Sequence, residues 1–275
     1  MSHQRKVTII KYIVIILLAL LIIIPFWTMI INSFKSAAEA RIPNMKLPEQ
    51  WQILENYRTV FQRGQLQRGF LNSLFITILS SILILVISTT AAYVFGRRRT
   101  KYIRVIFFIF LLGIIVPPSP LIVAIFLKYM NLLGTYAGMV FFYGGILVSL
   151  PIFLLSGFIS TIPRELEESA VIDGASTLRI FVHIILPLLK PAIATCFIWI
   201  VLRVWNDFIY PLYILAGKTG KYTMVLSLYV YNSKYAAQWN LIFANMVFIS
   251  LPVLIAFLFA QRQIVEGLTA GAIKG

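Results

Sequence analysis

Charged residues are scarce in this chain: they make up 12% of its 275 residues, and only nine of them are acidic. A soluble globular domain carries about 25% charged residues, so the composition excludes that class of protein. Apolar residues reach 60%, and the mean hydropathy is +0.90. The solvent for most of the chain is therefore lipid.

Cysteine and histidine are also rare. The one cysteine, Cys196, lies in an apolar run, which excludes an internal disulfide and a cysteine-based metal cluster. His3 and His183 are far from it in sequence, and the H-E-x-x-H pattern of zinc peptidases is missing. We therefore predict no metal site and no resident cofactor, and an intramembrane enzyme is the weakest interpretation.

A nucleotide-binding loop is missing as well. The phosphate-binding P-loop reads G-x-x-x-x-G-K-[ST]. The segment Gly217-Lys218-Thr219 matches its end, but the first glycine would have to stand at Leu212. ATP and Mg²⁺, if they supply energy here, must be bound by a partner.

Six long apolar runs take up most of the sequence. A helix needs about 20 mainly apolar residues to cross the hydrocarbon, and its backbone groups must be satisfied internally. We therefore predict an all-α polytopic transmembrane bundle of six spans, forming a single domain over 1–275. The runs are 12–31, 74–95, 103–127, 139–159, 192–215 and 241–260. The first run exceeds the length of a secretory signal core, about 7 to 15 residues, and is predicted to be a retained span.

Prolines in the third, fourth and sixth runs indicate interruptions of the helix. Pro117, Pro118 and Pro120 lie in the third run, Pro151 in the fourth and Pro252 in the sixth. Because proline lacks a backbone donor, each is expected to bend or break its helix.

Basic residues indicate the orientation, because cytoplasmic loops carry an excess of Lys and Arg. The segment GRRRTKYIR, residues 96–104, concentrates five of them between the second and third runs. With an even number of spans, both termini lie on that side, and we predict that both are cytoplasmic. The net charge of +15 reflects loops beside an anionic leaflet, so no nucleic acid partner is predicted.

The connection between the fourth and fifth runs is acidic. Four of the nine acidic residues fall within nine positions: Glu165, Glu167, Glu168 and Asp173. Thr161 as a cap and Pro163 in the first turn predict a helix over about 163–173. Gly174 predicts its end, and 177–186 is expected to form a second, amphipathic helix.

This helix pair has two interpretations, a hairpin on the membrane surface and a contact with a protein partner. Helices that lie on a membrane surface favour Lys and Arg on their polar face, whereas this pair is acidic. The small residues Ala170, Gly174 and Ala175 beside Glu168 give a profile that fits a groove. A protein partner with basic residues explains the segment better than a hairpin on the bilayer.

The same residues carry a resemblance. Glu168-x-Ala170-x3-Gly174-x9-Ile184-x-Leu186-Pro187 resembles the cytoplasmic coupling motif in membrane subunits of bacterial ATP-binding-cassette importers. Ser169 departs from it, since that position is usually alanine. The C-terminal EGLTAGAIKG and the segment WNDFIYPL from Trp205 resemble six-span permeases of the maltose-transporter type, as do Asn56-Tyr57 and Phe70-x-Asn72-Ser73.

This resemblance implies a type I importer permease fold and a subunit of an ATP-driven importer of sugars, in particular oligosaccharides, in the bacterial cytoplasmic membrane. The implied partners are a second, different permease subunit, two copies of a cytosolic ATPase subunit and an extracytoplasmic solute-binding protein. The coupling loop, about 161–190, would seat in the ATPase and switch the bundle from inward-facing to outward-facing. The coupling residues implied are Glu168, Ala170, Asp173, Gly174, Ala175, Ile184, Leu186 and Pro187.

Three further contacts follow from the resemblance. The cytoplasmic tail, 261–275, would reach the ATPase through its end. The residues implied there are Gly267, Leu268, Thr269, Ala270, Gly271 and Lys274. The loops 32–73 and 216–240 would meet the solute-binding protein on the opposite side.

Arg203 and Asp207 are ions within the fifth run, four residues apart on one helix face. An intramembrane ion costs about 2.5 to 3.5 kcal/mol on insertion scales unless it faces a partner or a cavity. Either the two line a substrate path with Trp205, Asn206 and Tyr210, or they form an ion pair that fixes helix packing. The sequence leaves both open.

Two rival functions remain at this point. A permease of the same class for a non-sugar solute conflicts only with the C-terminal and WNDF resemblances. A secondary transporter driven by an ion gradient usually carries intramembrane acids or an inverted repeat, whereas Asp207 is the only acid within a predicted span.

Overall fold

The computed structural model describes residues 3–63, 66–98, 100–215, 220–231 and 238–272. Within these ranges every regular element is helical, which confirms the predicted all-α fold. The α-helices are α1 (His3–Ser33), α2 (Ile53–Arg63), α3 (Leu66–Arg97), α4 (Lys101–Ile115), α5 (Pro120–Tyr129), α6 (Tyr136–Leu147), α7 (Ser149–Ile159), α8 (Glu165–Ile172), α9 (Thr177–Ile180), α10 (Leu186–Leu188), α11 (Lys190–Trp205), α12 (Ile209–Leu215) and α13 (Trp239–Ala272). Short 3-10 helices cover Glu39–Arg41 and Leu226–Tyr231, and a π-helical turn covers Phe181–Ile185.

Two unbroken helices in the described chain are long and apolar enough to cross a membrane, Lys11–Ser33 within α1 and Leu66–Arg97 as α3. Three bent helix pairs raise the number to five if each counts as one span. The sixth predicted run lies in α13, where a shorter apolar stretch covers Trp239–Ile255. The helical membrane bundle is thus confirmed, and a sixth full span stays a prediction.

The bent pairs follow the prolines. α4 and α5 meet at 119° across a break that contains Pro117 and Pro118, and Pro120 begins α5. α6 and α7 meet at 47°, with Pro151 in the first turn of α7. Pro252 lies inside α13 without ending it, so proline here marks a helix break in some places and a tolerated interruption in another.

One compact unit comprises 1–68 and 227–252. Within it, buried polar side chains hold the segment after α1 in place through hydrogen bonds. Lys35 is buried, and its Nζ donates to Asn32 Oδ1 at 3.1 Å and Asn44 Oδ1 at 2.7 Å. Asn56 Nδ2 donates to the carbonyls of Ser33 and Lys35, and Asn56 Oδ1 accepts from Asn240 Nδ2 at 2.8 Å.

The other unit comprises 69–226 and 253–275. Two clusters of buried residues hold it together. The first contains Ile76, Ile84, Leu127, Met139, Phe142, Tyr143, Leu147, Ile200, Val204, Ile214 and Leu215. The second contains Ala92, Leu155, Ile159, Ile162, Ile180, Ile185, Leu189 and Cys196, so the single cysteine is a packing residue in this part of the structure.

Candidate functional site: the elbow and the intramembrane cleft

Residues 165–188, here called the elbow, form the helix pair that the sequence predicts between the fourth and fifth runs. The backbone of Gly174 is left-handed, with φ of 79°. The amide of Ala175 donates to Ala170 O at 2.9 Å, and the amide of Gly174 donates to Val171 O at 3.0 Å. This pair of bonds is the Schellman arrangement that ends helices at glycine. The predicted end of the first helix is confirmed.

The start of that helix differs from the prediction. α8 begins at Glu165, and the hydroxyl of Thr161 donates back to Phe158 O at 2.8 Å instead of capping α8. Thr161 belongs to the end of α7, because threonine can bond the carbonyl of the preceding turn.

The second half of the elbow is less regular than predicted. Ser176 Oγ caps α9 by accepting from the amide of Arg179, and a serine at this position is a sequence signal for a helix start. The chain then widens into the π-helical turn Phe181–Ile185 before α10. Such turns occur frequently at functional sites. α9 and α10 meet α11 at 74°.

The implied coupling residues divide into two faces. Ala170, Ala175 and Ile184 are half-buried and pack on the second buried cluster, and Leu186 is half-buried. Glu168, Asp173, Gly174 and Pro187 are exposed. The two alanines therefore seat the elbow on its own bundle, which corrects the expectation that they form part of an outward profile.

Apolar side chains that sequence reasoning missed complete the outward face. Val171, Ile172 and Leu178 are 61%, 85% and 71% exposed. They flank Glu168 and Asp173 on the same short segment, so this surface combines acid groups with large aliphatic groups. The sequence shows these apolar residues on both sides of Gly174. Only the structure shows that the bundle leaves them exposed.

Most of the predicted cytoplasmic tail, 261–275, is the C-terminal part of helix α13. The backbone of α13 runs without a break through Ala272, so Gly267, Leu268, Thr269, Ala270 and Gly271 lie in helical conformation. Lys274 lies outside the described residues. The ATPase contact expected of this segment stays a prediction.

Four of the five predicted path residues line one cleft of about 330 Å³: Arg203, Asn206, Asp207 and Tyr210, together with Tyr143. Trp205 is the exception. Its ring is buried and meets Phe70 edge-on at 5.8 Å between centroids, so it packs in the core.

Asp207 is engaged by hydrogen bonds. Its Oδ2 accepts from Tyr143 Oη at 2.8 Å, and its Oδ1 accepts from the amides of Ile209 and Tyr210 at 3.0 and 3.3 Å. Among the described residues no ion pair joins it to Arg203, whose guanidinium instead lies 5.9 Å from the centre of the Trp199 ring. The alternative of a mutual ion pair is therefore wrong.

The cause is a break in the fifth run that was not predicted, although Pro211 lies just beyond it. The predicted run 192–215 is interrupted at 206–208, between α11 and α12. Asp207 then caps the new helix start, because aspartate satisfies free amides in the first turn. A helix break removes the one-face geometry on which the predicted ion pair depended.

Loop 216–240 is anchored through residues of α3 singled out by the resemblance. Asn72 Nδ2 donates to the carbonyls of Gly220 and Tyr222, both at 3.0 Å. Ser73 Oγ accepts from the amide of Met224 at 2.8 Å. Lys221 Nζ donates to Gly134 O at 3.1 Å. Lys218 and Lys234, which were expected in the same loop, lie outside the described residues.

Known proteins match this chain over nearly its whole length. The probable starch degradation products transport system permease protein AmyC of Thermoanaerobacterium thermosulfurigenes is 37% identical, with 98% of this chain and 100% of that protein covered. The melibiose/raffinose/stachyose import permease protein MelC of Bacillus subtilis is 31% identical, covering 92% of this chain and 91% of that protein.

A solved structure matches as well. The crystal structure of a bacterial ABC transporter involved in the import of the acidic polysaccharide alginate contains a chain that aligns with a TM-score of 0.81 and 21% identity. The alignment covers 95% of this chain and 98% of the other. The expected importer-permease fold is thereby confirmed.

The model of one family, described as the binding-protein-dependent transport system inner membrane component, matches residues 84–269, which include the elbow and the cleft. The chain therefore belongs to the family of inner membrane components of binding-protein-dependent transport systems.

Proposed function

We propose that this chain is a membrane-spanning permease subunit of an ATP-driven oligosaccharide importer in a bacterial cytoplasmic membrane, with both termini in the cytoplasm. It acts as one permease domain, and ATP and Mg²⁺ bind to a partner ATPase. The observation that carries the proposal is the outward face of the elbow, where Glu168 and Asp173 stand beside exposed Val171, Ile172 and Leu178.

This face has the make-up of a contact with another protein. Large aliphatic groups that stay in water are unfavourable, and a protein partner removes them from it. The acid groups select a basic partner surface and repel an anionic bilayer, so a cytosolic subunit fits better than the membrane. The Schellman turn at Gly174 and the packing of Ala170 and Ala175 hold the face in a fixed orientation.

The substrate class is supported by two independent features. The named relatives transport starch degradation products and the oligosaccharides melibiose, raffinose and stachyose. The cleft between α6, α11 and α12 presents Tyr143, Tyr210, Asn206 and Asp207, and such aromatic faces and hydrogen-bonding groups suit a sugar ring. We therefore assign the cleft as part of the sugar path.

The extracytoplasmic partner is a solute-binding protein. A related transporter has been solved in complex with an alginate pentasaccharide-bound periplasmic protein. In this chain the segment between α1 and α2 and the adjacent helix α2 carry exposed Ile42, Leu47, Trp51 and Leu54, apolar groups that such a partner would remove from water. A second, different permease subunit and two ATPase copies complete the proposed assembly.

The test uses the intact complex, isolated from its host through a tag on this chain and reconstituted in vesicles. Glu168→Lys and Gly174→Asp are expected to abolish ATP-dependent oligosaccharide uptake while this chain still inserts in the membrane. A Cβ atom at Gly174 meets nothing within 4 Å in this chain, and aspartate is among the residues that tolerate left-handed backbone, so its defect arises in the partner's groove. Gly157→Ala, also in open space, is the matched control. Normal uptake by either elbow variant would refute the coupling role.

A further inference from the structure

Glu167 is the acidic residue of the elbow that faces the bundle. Glu165, Glu168 and Asp173 are exposed, whereas the side chain of Glu167 is only 16% exposed. Its neighbour in sequence, Glu168, points to a different side because consecutive helical residues are about 100° apart. Glu167 is therefore not available to a cytosolic partner in the way that Glu168 is.

Two residues of α3 hold the carboxylate of Glu167. Arg97 Nε forms an ion pair with Glu167 Oε1, and Tyr93 Oη donates to Glu167 Oε2 at 2.7 Å. The arginine side chain is 11% exposed, so the pair is shielded from solvent on both sides. Such shielding makes the loss of one partner costly, because the other is left as a poorly solvated charge. We call Tyr93, Arg97 and Glu167 the clasp.

Two arginine side chains also bond backbone carbonyl groups next to the clasp. Arg97 Nη1 donates to Ile162 O at 3.0 Å, and Arg164 Nη2 donates to Arg97 O at 3.0 Å. These bonds fix the end of α3 to the turn that leads into α8. On the other side of Tyr93, its ring lies 5.3 Å from the ring of Phe181, the first residue of the π-helical turn. The clasp thus touches both halves of the elbow.

α3 is the helix best suited to carry a displacement across the membrane. It is unbroken over 32 residues, about 48 Å at 1.5 Å per residue, whereas the neighbouring segments in this unit occur as bent pairs. At its other end, Asn72 and Ser73 hold residues 220–224 by three hydrogen bonds. One rigid element therefore joins the cytoplasmic elbow to an extracytoplasmic loop.

We propose that Tyr93, Arg97 and Glu167 are positioning residues that make α3 move with the elbow, so that a displacement of the elbow reaches loop 220–224 on the opposite side. This inference rests on the proposed function, in which a partner displaces the elbow. It assigns Glu168 and Glu167 separate roles: the first meets the partner, and the second passes the movement to α3.

The first test compares sugar transport with ATP hydrolysis in vesicles that contain the intact complex. Glu167→Gln removes the charge and is expected to lower the amount of sugar moved per ATP on the order of tenfold, a common size for coupling between two sites. ATPase copurification and the rate of ATP hydrolysis are expected to remain. Arg98→Gln is the matched control, because Arg98 is exposed and next to Arg97 in sequence.

A milder variant covers the case in which Glu167→Gln does not fold. Tyr93→Phe removes the hydrogen bond to Glu167 but keeps the ring against Phe181, and it is expected to lower the same ratio severalfold. If both variants fold and keep the wild-type ratio of sugar to ATP, the inference is wrong.

The second test measures the movement itself. Spin labels on Arg98→Cys and Ser169→Cys, in a Cys196→Ala background, report the distance between the end of α3 and α8. We expect one narrow distance, the same with and without trapped nucleotide, and a broad distribution once Glu167→Gln is added. A broad distribution in the intact clasp would overturn the inference. Absence of any ATP-dependent uptake by the wild-type complex would instead overturn the proposed function, and the inference with it.

Discussion

Asp207 illustrates, at the scale of a single residue, how an intramembrane charge can be explained by helix geometry. Its two carboxylate oxygens bond Tyr143 and the amides at the start of α12. The capping role accounts for its presence in an apolar run. Because the residue also lines the cleft, a sugar hydroxyl would meet a carboxylate already fixed in place.

The capping role predicts a graded loss of stability. Asp207→Ala removes the acceptor for two amides and is expected to lower the free energy of unfolding by about 1 to 2 kcal/mol. Asp207→Asn keeps an acceptor oxygen and should lose less. Thermal unfolding of the purified chain in detergent measures both. Wild-type stability of the alanine variant would show that the cap contributes nothing.

Glu39 offers a second prediction at this scale, in the segment between α1 and α2. The amide of Glu49 donates to its Oε1 at 2.8 Å, and this bond is the main reason that the pKa of Glu39 lies below its ordinary value. A carboxylate with a lowered pKa stabilises the folded segment above the ordinary value, about 4.3, and this stabilisation is lost as the pH falls through the lowered pKa.

Hydrogen exchange of residues 36–50 should therefore stay unchanged from pH 7 to 5, after correction for intrinsic rates, and accelerate only at more acidic pH. Glu39→Gln should remove this acid sensitivity. An acceleration between pH 7 and 5 would contradict the assignment.

At the scale of elements, Gly96 allows α3 to pack closely against α7. A Cβ atom on Gly96 would lie 2.8 Å from Ile159 Cγ2 and 3.2 Å from Ser156 O. A side chain there must push the C-terminal end of α3 away from α7. This is the same end that carries the clasp.

Gly96→Ala is accordingly expected to cost about 1 to 3 kcal/mol in the free energy of unfolding, the range for an overpacked interior. Gly157→Ala places its Cβ in open space and should be neutral or slightly stabilising. Thermal unfolding of the two variants side by side tests the contrast. If both behave alike, the α3 to α7 contact is looser than the structure indicates.

Several elements could be predicted from the sequence because their causes are local. The apolar runs, the bends near Pro117 and Pro151, and the left-handed turn at Gly174 depend on residues within a few positions. The π-helical turn and the break at 206–208 were not predicted, although Pro187 and Pro211 lie a few positions beyond them. Proline is tolerated in a first helical turn and inside membrane helices, so it does not by itself locate a break. The clasp was missed for another reason: Arg97 and Glu167 are 70 positions apart, and only the packing of α3 on α7 brings them together.

The candidate site also has features that the local sequence predicts and features that depend on tertiary contacts. The resemblance identified the elbow residues, yet it did not indicate which of them face outward. In the structure Glu168 is exposed, whereas Glu167 is half-buried against the bundle. Ala170 and Ala175 pack against the second buried cluster. Burial depends on the tertiary contacts of the elbow, which the pattern of small and acidic residues does not contain.

At the scale of the whole molecule, our proposal gives the chain a sugar path and a lever and assigns the energy source to a partner. No P-loop is present in the sequence, and the elbow offers acid and aliphatic groups to a partner. The family to which the chain belongs consists of inner membrane components of transport systems that depend on a binding protein. In our account the elbow receives the stroke of a separate ATPase, and the bundle changes the side on which its sugar path opens.

The most direct test measures uptake of a labelled maltooligosaccharide, with melibiose and raffinose as further probes, into vesicles prepared from the purified complex. We predict ATP-dependent accumulation of at least one of these sugars when all subunits are present, and none when the ATPase subunit is removed or when Glu168→Lys is introduced. Accumulation by vesicles that hold this chain and its permease partner without any ATPase, driven by an ion gradient, would contradict the account.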